Sequence, residues 1–207
     1  MNSKIKNGVT AALMSAGVML VISAASLYAY NLWDEDRASK TGFRISEAFV
    51  SDLPRQSGAG DSNAPAGSAA APPSTAGEPS ISIDNNRYIG LISIPALGVT
   101  LPVMDSWSYP NLRISPCRYS GSVEGNDIVI AAHNYSRFFG NIFKLAKGDR
   151  VVFTDAAGID HHYAVAEVTA LPPASIRDMT DSGFALTMFT CTYSGRARVT
   201  VRCDNAA

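Results

Sequence analysis

The chain has 207 residues, a mean hydropathy of +0.05 and a formal net charge of −1 at pH 7. This length accommodates one ordinary domain together with additional segments. The near-neutral charge, with no basic run beyond the first few residues, excludes nucleic-acid binding through a basic surface and gives no sign of a polyanionic or acidic partner.

An uncharged run of 27 residues, Asn7 to Trp33, is the first feature along the chain. A membrane-spanning helix needs about 20 apolar residues, and Val9 to Tyr30 is long enough. Two lysines precede the run and three acidic residues follow it, which places the N-terminus in the cytoplasm and the rest outside. A cleaved signal peptide is the alternative, although its apolar region usually has only about 7 to 15 residues. We therefore expect residues 1–33 to be a cytoplasmic tip and a single-pass transmembrane signal-anchor at the cell membrane.

Residues 34–80 are predicted to form an extracellular stalk followed by a flexible linker. In the segment Pro54 to Ser80, 22 of 27 residues are Pro, Gly, Ala, Ser or Thr, and none is a bulky apolar residue. A segment of this composition cannot bury enough apolar surface to fold. The folded domain is therefore predicted to span residues 81–207, which is long enough for one compact core.

Short strands dominate this predicted domain. The predicted elements are strands at 88–94, 99–103, 127–132, 149–155 and 161–170, a short helix at 136–147 and a helical turn at 174–179. The run at 127–132 is apolar on both faces, which indicates a central buried strand. Strands at this close spacing, with few helices, predict a mostly β fold built as a mixed or antiparallel β-barrel.

The last predicted element is a β-hairpin from Leu186 to Val201, with Ser194-Gly195 as a two-residue turn. This turn pairs Cys191 with Arg198, and directly opposed side chains lie about 5 Å apart at Cβ. A guanidinium beside a thiol favours the thiolate and offers hydrogen-bond donors to a carbonyl oxygen. The alternative is that the arginines of this strand are only solvated, and a slip of one residue in register would change the pairing.

Three cysteines in an exported protein leave at least one thiol unpaired, and Cys191 is the candidate. Cys117 and Cys203 either form a disulfide or are two separate buried thiols. Cys203 alternates with Val199 and Val201, which favours a core position and two separate thiols.

A nucleophilic thiol needs a base or an imidazolium nearby, because an unassisted thiol is mostly protonated at neutral pH. His133 follows the predicted buried strand, a position from which active-site groups commonly emerge. His161 and His162 are adjacent on a predicted hairpin strand, so one faces solvent and the other can pack against the core. Neither position requires a catalytic role. The sequence therefore predicts a catalytic group of Cys191, His133 and Arg198.

These motifs, taken in order, resemble those of the sortase family, and the resemblance covers Tyr88 to Cys203. The matching segments are Ile89 to Pro95, Leu101-Pro102-Val103, Ala132-His133-Asn134, Thr190-Cys191 and Arg198 to Arg202. The resemblance implies an eight-stranded β-barrel transpeptidase, preceded by a transmembrane helix, on the outer face of a Gram-positive-type membrane. Its partners would be secreted proteins with a C-terminal sorting signal and an amine nucleophile from peptidoglycan precursor or pilin.

The resemblance also implies roles for individual residues. Cys191 would attack the Thr carbonyl of a signal similar to Leu-Pro-x-Thr-Gly, and His133 would move the protons of the leaving and incoming amines. Arg198 would hold the substrate carbonyl and its oxyanion, and Thr190 and Asn134 would contribute to substrate binding. His133-Asn134-Tyr135 resembles the class B pattern, but the stretch from 171 to 183 is too short for the helix that class B inserts, so the class stays open.

Other functions remain as alternatives. An exported hydrolytic cysteine peptidase would use the same residues, and a membrane-tethered binding module without enzymatic activity would need none of them. An L,D-transpeptidase would carry a compact Ser-His-Gly-Cys signature, which this sequence lacks. Zinc binding through Cys191, Cys203 and a histidine lacks paired ligand spacing, so we expect neither a metal nor another cofactor.

Overall fold

The computed structural model describes residues 3–53 and 79–206, with side chains described from residue 13 onward. Apart from its last two residues, the predicted linker at 54–80 lies outside the described residues. The chain divides into two compact units, Met1–Ala38 and Ser39–Ala207.

Helix α1 (Ser3–Asp52) supplies the first unit and continues into the second. From Leu13 onward it contains a stretch long and apolar enough to cross a membrane, with a mean hydropathy of 1.7 and no burial within the protein. A signal sequence near the N-terminus has the same properties. The helix is therefore compatible with the predicted anchor and with the signal-peptide alternative.

Nine strands of the described chain form one sheet in the second unit. They are β1 (Ile81–Ile83), β2 (Asn86–Ile94), β3 (Val99–Met104), β4 (Cys117–Ser120), β5 (Ile128–Ala131), β6 (Arg150–Asp155), β7 (Asp160–Leu171), β8 (Leu186–Cys191) and β9 (Arg198–Asn205). The strand order is β1-β2-β3-β4-β5-β8-β9-β7-β6, and pairing of β2 with β6 closes the sheet. Strands β2 to β9 thus form the predicted eight-stranded barrel, which is confirmed, and β1 adds to its edge through a hairpin with β2.

Closure of the barrel requires a glycine at position 90. In the β2–β6 pairing, a Cβ atom at Gly90 would lie 2.5 Å from the Phe153 ring and 2.4 Å from the Thr154 carbonyl oxygen. Real Cβ atoms essentially never approach other atoms so closely. The absence of a side chain therefore lets the aromatic ring of β6 lie directly over β2.

The short helices agree only partly with the sequence prediction. Helix α2 (Tyr109–Leu112) was not predicted, and α3 (Ile176–Thr180) confirms the predicted helical turn. The predicted helix at 136–147 is wrong, because that segment forms consecutive turns with only Ile142–Lys144 in a 3-10 helix. Phe138, Phe139 and Ile142 are all fully buried, so tertiary packing rather than helix propensity sets the path of this segment.

The C-terminal hairpin has the predicted register. Cys191 pairs with Arg198 in the β8–β9 ladder. The turn is wider than predicted: the Thr192 amide donates to the Ala197 carbonyl (2.9 Å) and the Gly195 amide to the Thr192 carbonyl (2.8 Å). Four residues, 193–196, therefore form the loop in place of two. The register is as predicted because the loop takes one additional residue from each strand.

Part of α1 belongs to the core of the second unit. Its Ile45 and Phe49 are buried in a hydrophobic cluster, here called the α1 cluster, to which Leu53 and Ile81 also pack. The buried members of the α1 cluster are Ile45, Phe49, Tyr88, Leu91, Met104, Leu112, Cys117, Val129, Ala131, Ala156, Met179 and Phe189. The compact unit therefore includes residues that precede the predicted linker.

Cys117 and Cys203 are separate buried thiols and do not form a disulfide, as the alternation around Cys203 predicted. Burial raises the pKa of each thiol to about 12, and in Cys203 the Asp204 carboxylate adds to the effect. Both groups therefore remain protonated throughout the physiological pH range and behave as small apolar side chains.

Truncation of Phe49 tests whether α1 contributes to the fold of the barrel. Phe49→Ala is expected to lower the free energy of unfolding by about 3 to 5 kcal/mol, because it removes a fully buried ring from the α1 cluster. The measurement is urea unfolding of the full chain in detergent. Val50→Ala, at a neighbouring exposed position, is the control and should change the value by about 0.5 kcal/mol or less. Equal losses from the two variants would contradict this packing.

Candidate active site

Three neighbouring strand ends meet at the predicted catalytic residues. Strand β8 lies between β5, which runs parallel to it, and β9, which runs antiparallel. Cys191 is the last residue of β8, and its antiparallel partner Arg198 is the first residue of β9. The thiol and the guanidinium therefore start from directly opposed backbone positions, as predicted.

The parallel ladder brings His133 to the other side of Cys191. Ile128 pairs with Leu186 and Ala131 with Phe189, a constant offset of 58 residues. His133 lies two residues beyond β5, and the same offset extended to it gives Cys191 as its counterpart. Because neighbouring strands lie about 4.8 Å apart, we expect the three predicted residues to occupy one row across the barrel wall, in the order His133, Cys191, Arg198.

Thr190 fastens the exit of β5 to β8. Its hydroxyl donates to the Ala132 carbonyl oxygen (2.8 Å), and the Ala132 amide donates to the Phe189 carbonyl oxygen (3.2 Å). The Thr190 side chain is buried, and its hydroxyl proton is used in this contact. These two bonds continue the register of the parallel ladder up to the residue that precedes His133.

The segment after β5 folds back and holds His133 at the strand end. The Phe139 amide donates to the His133 carbonyl oxygen (3.3 Å), and the Tyr135 ring lies 5.1 Å from the imidazole, centroid to centroid. A Cβ atom at Gly140 would lie only 2.5 Å from the Asn134 carbonyl oxygen, so the turn closes because this residue is glycine. His133 and Asn134 are half-buried, and their side chains remain partly accessible.

Cys191 is the one exposed thiol of the protein, whereas Cys117 and Cys203 are fully buried. Exposure at a strand end allows a bulky substrate to reach the sulfur. Cys191 can therefore act as a nucleophile toward a substrate, whereas the two buried cysteines cannot be reached.

The arginines near Cys191 differ in what they already bind. Arg198 donates through Nη1 to the carbonyl oxygens of Gly195 and Ala197 (3.4 Å each), and it pairs with no carboxylate among the described residues. Arg202, opposite Thr187 as predicted, binds Glu167 (2.8 Å) and the Asp178 carbonyl (2.6 Å). Arg198 thus keeps charge and donors for a ligand, whereas Arg202 ties strands β7 and β9 to helix α3.

The two other histidines lie away from this row. The His161 Nε2 atom contacts the Asp155 Oδ2 atom (2.9 Å) across the β6–β7 hairpin. In the β7–β9 ladder, Leu171 is the residue that pairs with Arg198, and His161 and His162 occupy the opposite end of β7. Among the described residues, no three His, Cys, Asp or Glu side chains are grouped as a metal site.

An aromatic wall lies beside the row and was not found from the sequence. We use this name for Trp107, Tyr109, Tyr119 and Phe189. Phe189 precedes Cys191 by two residues on β8, the Tyr119 ring packs edge-on against it (5.2 Å), and Trp107 packs edge-on against Tyr119 (5.7 Å). Trp107 is 40% exposed and Tyr109 72%, so the wall offers apolar surface to a ligand. The sequence signal for this wall was the presence of three aromatic residues within positions 107–119. Their position relative to β8 depends on the strand order, which the sequence did not predict.

Comparison with known proteins identifies a family and relatives for this chain. A family model described as Sortase domain matches residues 92–206, a range that includes all five predicted site residues. Sortase A of Bacillus anthracis is 31% identical over 120 residues, which cover 53% of this chain and 55% of that protein. The chain thus spans about half the length of this curated relative.

Solved structures show the same architecture. Sortase C1 from Streptococcus agalactiae superimposes with a TM-score of 0.54 and 26% identity, over 61% of this chain and 71% of that chain. Sortase A from Corynebacterium diphtheriae gives a TM-score of 0.52 at 20% identity, over 59% and 62% of the respective chains, and shows the similarity of fold.

Thiol labelling of the native protein tests the burial pattern of the cysteines. With iodoacetamide at pH 8 we expect one label per chain, on Cys191, because the other two thiols are buried and their pKa values of about 12 keep them protonated. The label is located by peptide mass spectrometry. Labelling in urea is the control and should give three labels per chain. Native labelling of Cys117 or Cys203 at a rate similar to Cys191 would contradict the structure.

Proposed function

This chain belongs to the sortase family, and from that premise we propose that it is a membrane-anchored cysteine transpeptidase. Its substrate is a sorting signal similar to Leu-Pro-x-Thr-Gly, and the acyl fragment is transferred to an amine. The observation that carries the proposal is the exposed thiol of Cys191, opposite Arg198 in the β8–β9 ladder, while on the other side of β8 Thr190 is bonded to Ala132, the residue before His133.

The proposed reaction has two halves. The Cys191 thiolate attacks the Thr carbonyl carbon, the peptide C–N bond breaks, and the His133 imidazolium gives its proton to the leaving amine. His133 then accepts a proton from the incoming amine, which attacks the thioester and releases Cys191. Each half passes through an oxyanion, and the Arg198 guanidinium supplies its hydrogen bonds and positive charge.

Thr190 and Asn134 have supporting roles in this proposal. The Thr190 hydroxyl proton is already donated to the Ala132 carbonyl, so Thr190 acts by holding β8 to the residue before His133. Asn134 follows His133 and is half-buried, and we assign it a contact with substrate on the His133 side. The apolar residues of the sorting signal pack against the aromatic wall, whose exposed part is formed by Trp107 and Tyr109.

The apolar stretch of α1 and the charges that flank it support a single-pass anchor with the catalytic domain outside the cell. The donor partners are then secreted proteins that carry a C-terminal sorting signal. The acceptor is an amine of peptidoglycan precursor or of a pilin subunit. In this arrangement residues 81–207 carry the chemistry, and Ser39–Asp52 of α1 completes their core.

Substitution of the three catalytic residues tests the proposal. With a labelled sorting peptide and triglycine as the amine, Cys191→Ala is expected to form no acyl-enzyme. His133→Ala and Arg198→Ala should each lower kcat/KM roughly 100- to 1,000-fold, because each removes a proton donor or an oxyanion partner. Product is quantified by chromatography, and the acyl-enzyme by mass spectrometry of the intact protein.

Arg196→Ala is the matched control, since Arg196 lies in the exposed loop and not in the ladder. It should leave kcat/KM within about twofold, as for other surface substitutions. Comparable losses from Arg196→Ala and Arg198→Ala would overturn the assignment of Arg198. Release of hydrolysed peptide without any amine-dependent product would favour a hydrolytic cysteine peptidase, and full retention of function by Cys191→Ala would favour a binding module.

A conservative pair of variants tests the role of Thr190. Thr190→Val removes the hydroxyl at nearly constant volume and is expected to lower kcat about tenfold or more, because a small misplacement of a catalytic group has a large effect on rate. Thr190→Ser keeps the hydroxyl and should restore most of the activity. Full activity in Thr190→Val together with a loss in Thr190→Ser would show that the methyl group, and not the bond to Ala132, is what matters.

A further inference from the structure

A cavity of about 750 Å³ lies next to the segment that follows His133. One wall is formed by Ser39, Lys40 and Phe43 of α1, and a second by residues 97–101, which end the turn after β2 and begin β3. The third wall is formed by Ser136 and Arg137. The proposed reaction assigns no role to this cavity.

The cavity has a net positive lining. Lys40 and Arg137 contribute two cations, and none of the described residues that line it carries a carboxylate. Arg137 donates through Nη1 to the Ser39 hydroxyl (3.1 Å), a neutral partner that an anion can displace. Exposed Phe43 and the leucines of the second wall add apolar surface. This combination fits a ligand that carries a carboxylate or phosphate at one end.

The chain itself connects this cavity to the proposed base. Arg137 follows His133 by four residues, so their Cα atoms are at most about 14 Å apart. The Phe139 amide bonds to the His133 carbonyl and folds the segment back, which shortens this distance. A span of three to four peptide units is therefore long enough to reach from His133 to Arg137.

We propose that this cavity binds the anionic end of the acyl acceptor, a primary amine that carries a carboxylate or a phosphate about three to four residues from its nitrogen. The inference rests on the proposed function, because the acceptor amine is the molecule that His133 must deprotonate. Lys40 and Arg137 hold the anionic end, and the amine extends toward the thioester at Cys191. The two cations thereby select among acceptors without contact with the sorting signal.

Acceptor kinetics with the full chain in detergent test the proposal. For the wild type, KM for triglycine is expected to be roughly fivefold lower than KM for triglycinamide, a size typical of exposed ion pairs, and the difference should shrink at high salt. A phosphate arm compares 6-aminohexyl phosphate with 6-aminohexanol, so the two arms show which anion is preferred. Di-, tri- and tetraglycine locate the length at which the preference is largest.

Arg137→Ala and Lys40→Ala should raise KM for triglycine toward that for triglycinamide, with kcat and KM for the sorting peptide unchanged. Arg137→Lys keeps the charge and should keep the preference. Lys147→Ala and Arg150→Ala are exposed controls outside the cavity and should behave as wild type.

Equal KM values for charged and amidated acceptors in the wild type, or a preference that survives loss of both cations, would overturn the inference and leave transpeptidation intact. Absence of transfer to any amine would instead overturn the proposed function, and the inference with it.

Discussion

The parallel pairing of β5 with β8 is the constraint on which the site depends. Its offset of 58 residues aligns two segments that lie far apart in sequence, and the bond from Thr190 to the Ala132 carbonyl continues that alignment past the end of β5. Pairing of β8 with β9 then adds Arg198 to the same row. The backbone positions on both sides of Cys191 are thus set mainly by strand pairing, which is stiffer than loop contacts.

The sequence predicted correctly the elements whose structure depends on residues close together in the chain. Alternation on both sides of Ser194-Gly195 gave the register of the C-terminal hairpin, because a hairpin pairs residues that are close in sequence. The apolar run at 127–132 gave a buried strand, since only a strand flanked on both sides excludes polar residues from both faces. The site residues that these two elements present were therefore accessible from the sequence.

Elements fixed by distant contacts were not accessible in this way. The segment at 136–147 has the composition of a helix, yet burial of the consecutive residues Phe138 and Phe139 forces it into turns. The aromatic wall depends on the neighbourhood of β4, β5 and β8, and no local pattern predicts which strands are neighbours. The burial of Phe49 in the core of the barrel unit likewise required knowledge of what α1 packs against.

The described residues on either side of segment 54–78 show which parts of the chain form the folded core. Leu53 precedes it and Ile81 closely follows it, and both pack on the α1 cluster of one compact unit. The chain on either side of this segment therefore belongs to one folded body, and a protein cut to residues 81–207 would lose Ile45 and Phe49 from its core.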